Sequence, residues 1–254
     1  MSTEGRLAGQ VCVVTGASGG IGAATVQLFR AEGAKVAGVD LLTDSPGDLA
    51  LQVDVTDEEQ VRAMFARVRE EYGRIDVLFN NAGISPIDDG SVLETTLEAW
   101  ERVQQVNLRS VFLCCKHGIP HLLENEGPAR GSVINTASFV AVMGAATSQI
   151  SYTASKGGVL ALSRELGVEF ARRGVRVNAL CPGPVDTPLL RELFAKDPER
   201  AERRLVHVPM GRFAQAAEIA KGALFLASDD ASFVTASTFL IDGGLSGAYT
   251  TPLD

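Results

Sequence analysis

The sequence predicts an α/β fold, and three observations support this prediction. Short apolar runs alternate along the chain with longer stretches of helical periodicity. A glycine-rich turn, G-A-S-G-G-I-G, lies between the first apolar run and the first helical stretch. Polar residues follow directly where apolar runs end, as at Asp40 and Asn80. Strand, turn and helix in this repeated order are typical of layered α/β domains.

Length and composition bound the class of protein. The 254 residues fit one α/β domain, so we expect a single domain over residues 1–254. Hydrophobic residues make up 46% and charged residues 21%, which is enough for a substantial core. The net charge of -8 argues against nucleic acid or an anionic membrane surface as a partner. No signal-like core or apolar run of membrane-spanning length is present, so we expect a cytoplasmic protein.

Cysteine and histidine positions argue against disulfides and metal sites. All four cysteines lie in apolar runs and form no C-x-x-C pair, which predicts buried free thiols in a reducing compartment. His117 and His121 lie four apart on a predicted helix but lack an evident third ligand, so we expect no metal site. The cysteines are Cys12, Cys114, Cys115 and Cys181.

Seven strands and five principal helices are predicted in order. The strands are Val11–Thr15, Lys35–Val39, Leu49–Val53, Ile75–Phe79, Val133–Ala137, Val175–Leu180 and Thr238–Ile241. The helices are Ala23–Glu32, Thr56 to about Tyr72, Thr95 to about Leu123, a helix bearing Tyr152, and Ala216–Ser228. Thr56 with Glu59 and Thr95 with Glu98 have capping-box spacing. A short helix is expected at Asp197-Pro198, and Pro182 is expected to break the sixth strand.

The first strand, glycine turn and helix together predict a dinucleotide-binding cradle. Gly16, Gly20 and Gly22 allow the turn and let the backbone approach a pyrophosphate, which the helix N-terminus favours. The spacing is G-x-x-x-G-x-G, so a simple tight turn remains an alternative. Asp40 ends the second strand, where a carboxylate binds ribose hydroxyls and repels a 2′-phosphate. With no basic residue at Ser18, Gly19, Leu41 or Leu42, the sequence favours NAD(H) over NADP(H).

Tyr152 and Lys156 lie four residues apart on one predicted helix face. An ammonium beside a phenol favours the phenolate, so this spacing predicts a tyrosine base with a lowered pKa. Ser138, at the end of an apolar run, is expected to hydrogen-bond the same reacting oxygen. A snorkelling surface pair is the alternative for the Tyr-x-x-x-Lys spacing alone. Asn107 interrupts an apolar helix pattern and is expected to be structural or to hold a water near the tyrosine.

Taken together and in order, the motifs resemble those of the short-chain dehydrogenases/reductases over roughly Leu7 to Gly244. The matching pieces are T-G-A-S-G-G-I-G at Thr15–Gly22, Asp54-Val55, N-N-A-G at Asn80–Gly83, Asn107, Ser138, Y-T-A-S-K at Tyr152–Lys156 and P-G-P-V-D-T at Pro182–Thr187.

The resemblance implies a Rossmann-like, doubly wound, mostly parallel seven-stranded sheet with helices on both faces. It also implies hydride transfer between NAD(H) and a secondary alcohol or ketone by a Ser-Tyr-Lys-Asn mechanism, and a homotetramer. The catalytic residues it implies are Asn107, Ser138, Tyr152 and Lys156. The cofactor-binding residues it implies are Gly16, Ser18, Gly20, Ile21, Gly22, Asp40, Asp54, Val55, Asn81, Ala82, Gly83, Tyr152, Lys156, Pro182, Gly183, Val185 and Thr187.

The substrate is the least defined part of the prediction. Apolar neighbours of the tyrosine favour an alcohol or ketone with a hydrophobic part, and residues 189–213 are expected to form a substrate lid. Candidate substrate contacts are Phe139, Val140, Gln149, Leu189 and Leu190. A 3-oxoacyl-[acyl-carrier-protein] reductase is an alternative, which Asp40 and Glu124-Asn125-Glu126 disfavour. Three basic residues near that acidic segment could still meet an acidic carrier protein: Arg130, Arg172 and Arg173. A non-catalytic NAD-binding redox regulator is a second alternative, but it would not need the four catalytic residues together.

Overall fold

A computed structural model describes residues 5–187 and 205–247. It contains seven strands in one sheet and a separate short pair of strands among these residues. In chain order the strands are β1 (Val11–Thr15), β2 (Lys35–Asp40), β3 (Leu49–Gln52), β4 (Val77–Asn80), β5 (Gly131–Thr136), β6 (Val175–Pro182), β7 (Val185–Asp186), β8 (Ala214–Gln215) and β9 (Thr238–Ile241). All seven runs predicted from the sequence are therefore strands, with ends shifted by no more than two residues.

The helices lie between the strands in the order that the sequence predicts, and β2 leads to β3 without a helix. They are α1 (Gly20–Ala31), α2 (Glu58–Tyr72), α3 (Leu97–Gln104), α4 (Ser110–Leu123), α5 (Ile150–Ala171) and α6 (Ala216–Ala227). The predicted short helix at Asp197-Pro198 and most of the predicted lid lie outside the described residues. None of the described helices is both long enough and apolar enough to cross a membrane.

The large sheet is parallel throughout, in the order β3-β2-β1-β4-β5-β6-β9. The chain moves outward from β1 through β2 to β3, and then returns to the other side of β1 with β4. This reversal places a crevice between the carboxyl ends of β1 and β4, where open α/β sheets bind ligands. The doubly wound fold implied by the family motifs is confirmed.

Two hydrophobic layers cover the two faces of the sheet. Along β1, Val11 and Val13 pack into one layer, and Cys12 and Val14 into the other. The first layer includes side chains of α2, α4 and α5, and the second includes side chains of α1 and α6. Because both sheet faces are buried, the central strands are continuous apolar runs in the sequence.

The two predicted capping boxes are wrong by one residue. Asp57, not Thr56, caps α2, and Thr96, not Thr95, caps α3; each side chain accepts hydrogen bonds from backbone N–H groups of the first turn. Thr56 instead donates its backbone N–H and its hydroxyl to Asp54 Oδ1. Both true caps have extended backbone angles, which the spacing of polar residues alone does not specify.

Two further boundaries differ from the prediction. The long helix expected up to Leu123 is continuous, but a π-helical turn at Gln105–Arg109 separates α3 from α4 and contains Asn107. The sixth strand ends at Pro182, two residues later than the predicted end at Leu180, and pairs Pro182 with Ile241 of β9. A π turn inserts one extra residue per turn, and such turns are frequent at functional sites.

Two glycines of α5 allow a matched test of the packing. A Cβ at Gly167 would lie 2.6 Å from the backbone N of Ala236, whereas a Cβ at Gly157 would meet nothing within 4 Å. We therefore expect Gly167→Ala to lower the free energy of unfolding by about 2 kcal/mol, because overpacking against backbone outweighs the helix propensity of alanine. Gly157→Ala should raise it by about 0.5–1 kcal/mol. Urea denaturation measures both, and equal stability of the two variants would contradict this packing.

Candidate active site

The glycine turn after β1 depends on two close backbone approaches. Gly16 has φ +65°, and a Cβ there would lie 2.9 Å from the Ala82 Cα. A Cβ at Gly22 would lie 2.0 Å from the Gly16 carbonyl oxygen. Any side chain at either position would therefore push the turn away from α1 or from the loop after β4.

The N-terminus of α1, formed by Gly20, Ile21 and Gly22, has the properties of an anion site. Its N-cap, Gly19, makes no side-chain cap, and the first turn contains no acidic residue. Beside it, Ser18 Oγ is buried and makes no hydrogen bond. Unpaired N–H groups, the helix dipole and a free hydroxyl fit the pyrophosphate of a dinucleotide cofactor.

Asp40 lies at the carboxyl end of β2, next to the glycine turn. Its Oδ2 accepts the backbone N–H of Ser18 at 2.9 Å, so the carboxylate is fixed beside the cradle. The following residues, Leu41 and Leu42, are 64% and 60% exposed and carry no charge. This geometry suits two ribose hydroxyls as hydrogen-bond donors and offers no cation for a 2′-phosphate.

The loop after β4 is tied to the glycine turn through Asn81. Its Nδ2 donates to the carbonyl oxygens of Thr15 and Gly16, at 3.2 and 3.3 Å. The backbone N–H groups of Asn81 and Ala82 both donate to Thr15 Oγ1. Asn81 and Thr15 therefore connect the loop after β4 to the glycine turn, and this role of Thr15, the first residue of the T-G-A-S-G-G-I-G motif, was not predicted.

The remaining predicted cofactor residues lie on neighbouring loops. Asp54 and Val55 follow β3. Gly83 lies in the loop after β4, and a Cβ added to it would lie 3.3 Å from Asn107 Oδ1 and 3.4 Å from Lys156 Nζ. Gly183 packs against Asp242, whose Cα would lie 2.6 Å from an added Cβ. Pro182, Val185 and Thr187 lie at or just after the end of β6.

Tyr152 and Lys156 lie on one face of α5, as the spacing predicts. Lys156 is only 3% exposed, and its Nζ donates to the Thr136 carbonyl oxygen at 2.7 Å. The same Nζ lies 5.7 Å from the centroid of the Tyr152 ring. The pair is therefore part of a buried site, and the surface-pair alternative is wrong.

The Ser138 side chain lies close enough to the phenol of Tyr152 to lower the pKa of the phenol. The predicted electrostatic state differs, however. Desolvation raises the pKa of Tyr152 above its ordinary value, and the nearby Ser138 side chain only partly opposes this. The chain by itself therefore favours the neutral phenol, because burial of the ring is a tertiary effect that the four-residue spacing does not reveal.

Burial also disfavours the protonated form of Lys156. Desolvation lowers its pKa from 10.5 to about 8, while Cys181 acts slightly in the opposite direction. Cys181 is itself buried, and desolvation raises its pKa to about 11, although the nearby Ser138 backbone acts in the opposite direction. This thiol borders the site, which its apolar sequence context did not indicate. All four cysteines are free and buried, as expected.

Asn107 is completely buried in the π turn and links three segments. Its Oδ1 accepts the Ile84 N–H at 2.8 Å, and its Nδ2 donates to the Ile84 carbonyl at 2.9 Å and to Ser155 Oγ at 3.2 Å. The side chain is thus committed to structural bonds between the loop after β4 and α5. Its predicted contribution to a water relay stays a prediction.

Phe139 and Gln149 are half-buried near Ser138 and Tyr152 in sequence, and Val140 is 3% exposed. Leu189 and Leu190 lie outside the described residues. Within residues 5–187 and 205–247, no group of three or more His, Cys, Asp or Glu side chains is placed to hold a metal ion.

Comparison with known proteins identifies the family. A family model described as enoyl-(acyl carrier protein) reductase matches residues 16–246. The chain is 39% identical to a 3-oxoacyl-[acyl-carrier-protein] reductase of Thermotoga maritima, over 94% of this chain and 99% of the relative. The chain belongs to the short-chain dehydrogenase/reductase family.

Two further similarities extend this result. The chain is 40% identical to a cis-4-hydroxycyclohexanecarboxylate dehydrogenase of Sinomonas cyclohexanicum, over 92% of this chain and 96% of the relative. The crystal structure of levodione reductase matches with a TM-score of 0.88 and 36% identity, covering 96% of this chain and 100% of that chain. The chain is therefore an oxidoreductase that acts on secondary alcohols or ketones, and the hypothesis of a non-catalytic regulator is disfavoured.

The lowered pKa of Lys156 has a measurable effect on stability. Below about pH 8 the folded protein holds a protonated, desolvated ammonium. Between about 8 and 10.5 the unfolded chain binds a proton that the folded chain does not, so this group makes stability rise with pH. Lys156→Met lacks this titrating group and should not gain stability in the same way. We therefore expect the unfolding free energy of the variant minus that of the unmodified protein to fall by about 3 kcal/mol between pH 8 and 10.5.

Urea denaturation of both proteins at pH 7, 8, 9 and 10 measures this difference. The buried cysteines lower stability as pH rises above 9, but they are present in both proteins and largely cancel in the subtraction. A difference that stays constant with pH would mean that Lys156 is not desolvated in solution.

Proposed function

We propose that the protein is an NAD(H)-dependent dehydrogenase/reductase of secondary alcohols and ketones with a hydrophobic part. The observation that carries this proposal is the arrangement of Ser138, Tyr152 and Lys156 at the carboxyl edge of the sheet, beside a glycine cradle that fits a dinucleotide. The effect of Ser138 on the pKa of the Tyr152 phenol supports these two side chains as the groups that bind one reacting oxygen. The cofactor, when bound, supplies the hydride acceptor or donor.

The proposed roles follow from charge and position. In reduction, the neutral phenol of Tyr152 donates its proton to the substrate oxygen, and Ser138 donates a hydrogen bond to the same oxygen. Lys156, cationic below about pH 8, stabilises the phenolate that remains. In oxidation the phenolate must form first. Because burial raises the pKa of Tyr152, we propose that oxidation is faster at alkaline pH than at neutral pH.

The proposed cofactor residues follow their positions in the structure. Gly16, Ser18 and the first turn of α1 would hold the pyrophosphate, and Asp40 the adenosine ribose. Asp54 and Val55 would border the adenine, and Asn81, Ala82 and Gly83 would line the cleft. Lys156 would also bind the nicotinamide ribose, and the segment from Pro182 and Gly183 to Val185 and Thr187 would hold the carboxamide. Asn107 would hold a relay water.

Relatives support a cyclic or otherwise apolar ketone as the substrate class. The dehydrogenase relative is named for a hydroxycyclohexane carboxylate and the structural neighbour for a dione. The half-buried Phe139 and the 39% exposed Met143 provide apolar surface next to Ser138 in the chain. We include Phe139, Val140 and Gln149 among the proposed substrate contacts.

Reduction of 3-oxoacyl-[acyl-carrier-protein] remains a second candidate, supported by the Thermotoga maritima relative and the matching family model. The acidic segment Glu124-Asn125-Glu126 and the carboxylate of Asp40 disfavour it. Arg130, which could have met an acidic carrier, donates to the Leu123 carbonyl instead.

A homotetramer is part of the proposal. Apolar side chains are exposed on α4, on α5 and on the edge strand β9, at Phe112 (49%), Val168 (73%) and Leu240 (41%). Exposed apolar surface of this kind favours burial between subunits.

The four free, buried thiols support a reducing compartment such as the cytoplasm.

Initial rates with NADH and NADPH test the proposed function. The substrates are 4-oxocyclohexanecarboxylate, levodione and cyclohexanone as ketones, and acetoacetyl-CoA as a β-keto thioester. We expect NADH-dependent reduction of at least one ketone and weak thioester reduction. In parallel, Tyr152→Phe should lose about 10³-fold or more in kcat while it still binds NADH, since it keeps the ring and loses only the proton. NADPH-dependent thioester reduction would favour the 3-oxoacyl-[acyl-carrier-protein] reductase instead. A fully active Tyr152→Phe would contradict the proposed role of Tyr152 as the proton donor.

Cofactor choice is tested separately at Asp40. Asp40→Ala removes the ribose acceptor and the repulsion of a 2′-phosphate, so we expect the ratio of kcat/KM for NADH over NADPH to fall by about 10-fold or more. Asp44→Ala, in the loop that follows the same strand, is the matched control for loss of one acidic charge. A preference for NADPH in the unmodified protein would contradict the interpretation of Asp40.

A further inference from the structure

The helix that carries Tyr152 and Lys156 does not cap its own N-terminus. Gln149, the N-cap of α5, makes no side-chain cap, and the first turn contains no acidic residue. The first N–H groups of a helix have no partner within it, and leaving them unpaired in a buried place is costly. Partners for the N–H groups of Ile150, Ser151 and Tyr152 must therefore come from elsewhere.

A distant loop supplies all three partners. Asp89, which is 6% exposed, accepts the Ser151 N–H on Oδ1 at 2.9 Å and the Tyr152 N–H on Oδ2 at 2.8 Å. The neighbouring Gly90 carbonyl accepts the Ile150 N–H at 3.3 Å. A buried carboxylate with a bond to each oxygen, placed at a helix N-terminus, is favoured by both hydrogen bonding and the helix dipole.

Tyr152 lies in the turn that Asp89 holds. The phenol must reach Ser138 from this first turn, whereas Lys156 lies one turn further along and is fixed separately by the Thr136 carbonyl. Ser155 Oγ donates to the Tyr152 carbonyl at 2.7 Å, which fixes the same residue from its other side. Without Asp89, the first turn is the part of α5 most free to fray.

We propose that Asp89 is a positioning residue for the phenol of Tyr152. It acts through two backbone bonds and does not touch the reacting atoms. The segment 84–90 would then join two parts of the site, because Asn107 holds Ile84 at one end and Asp89 holds α5 at the other. The inference rests on the proposed catalytic role of Tyr152.

The alternative is that Asp89 only stabilises the fold. A stabilising residue changes the amount of folded enzyme and its melting temperature. A positioning residue lowers kcat of the folded enzyme and leaves cofactor and ketone binding unchanged, because the misplaced group acts only in the chemical step.

The test compares Asp89→Asn with Asp88→Asn. Asp89→Asn keeps the size of the side chain but turns one acceptor into an NH2 group that faces a backbone N–H. Asp88→Asn removes the adjacent carboxylate, which is 51% exposed and bonds Arg102 instead of α5. The probes are NADH, by fluorescence titration, and the ketone of the panel with the highest NADH-dependent rate.

For Asp89→Asn we expect kcat to fall at least about 10-fold, with ketone KM and the NADH dissociation constant within about twofold of the unmodified values. Asp88→Asn should keep the unmodified kcat. A folded Asp89→Asn with unmodified kcat, or with NADH binding weakened as much as kcat, would overturn the inference.

Thr95→Val keeps the inference testable if Asp89→Asn does not fold. Thr95 Oγ1 accepts the Gly90 N–H at 3.0 Å, so this variant loosens the same turn and leaves Asp89 in place. A kcat reduced about threefold or more with unchanged NADH binding supports the inference, and an unmodified kcat overturns it. Tyr152→Phe, measured alongside, separates the two proposals: if it is inactive while the loop variants are fully active, only the role of Asp89 fails.

Discussion

The site depends on the parallel pairing of β4, β5 and β6. Parallel strands end at one edge, so this pairing brings Asn80, Thr136 and Pro182 together although they are far apart in the chain. The loops that leave this edge supply Asn81, Ser138 and Gly183. The helix that returns from one of these loops begins at the same edge, which explains why Tyr152 lies in the first turn of α5.

The buried ammonium of Lys156 is an unusual feature for a core. Its hydrogen-bond partner is an uncharged carbonyl, and no carboxylate among the described residues pairs with it. A carboxylate partner would restore its pKa, but it would also repel the phenolate that the proposed reaction forms. The site thus contains a desolvated ammonium whose charge acts on the neighbouring phenol. The free-energy cost of burying this charge appears as the lowered pKa of Lys156, about 8.

Much of the fold could be predicted from the sequence for a physical reason. Both faces of the sheet are buried, so strands are apolar runs, and the glycines of the first turn lie where backbone approaches backbone. The helix caps were less predictable, because Thr56-Asp57 and Thr95-Thr96 each offer two suitable side chains and only the backbone angles select one. The raised pKa of Tyr152 was not predictable, since desolvation is set by residues that pack around it from other elements.

The contacts of Asp89 and Asn107 show more clearly what the sequence does not reveal. A D-D-G sequence indicates a turn and gives no sign that its second carboxylate caps a helix that begins 61 residues later. Asn107 could be singled out only because it interrupts an apolar helix pattern. No sequence pattern predicts the π turn that places its side chain against Ile84. Both side chains bind backbone groups, so their partners are specified by the fold and not by any residue type.

The same distinction separates the proposed reacting groups from the proposed substrate contacts. Tyr152 is held by the Asp89 carboxylate, Lys156 by the Thr136 carbonyl and the glycine turn by the Asn81 amide, and these bonds define their positions closely. Phe139 and Gln149 are only half-buried, and Met143 is 39% exposed. Substitutions at these three positions therefore disturb little of the core, whereas substitutions at the anchoring residues disturb the geometry of the proposed reacting groups. Such a division lets a family vary its substrates around one fixed set of reacting groups.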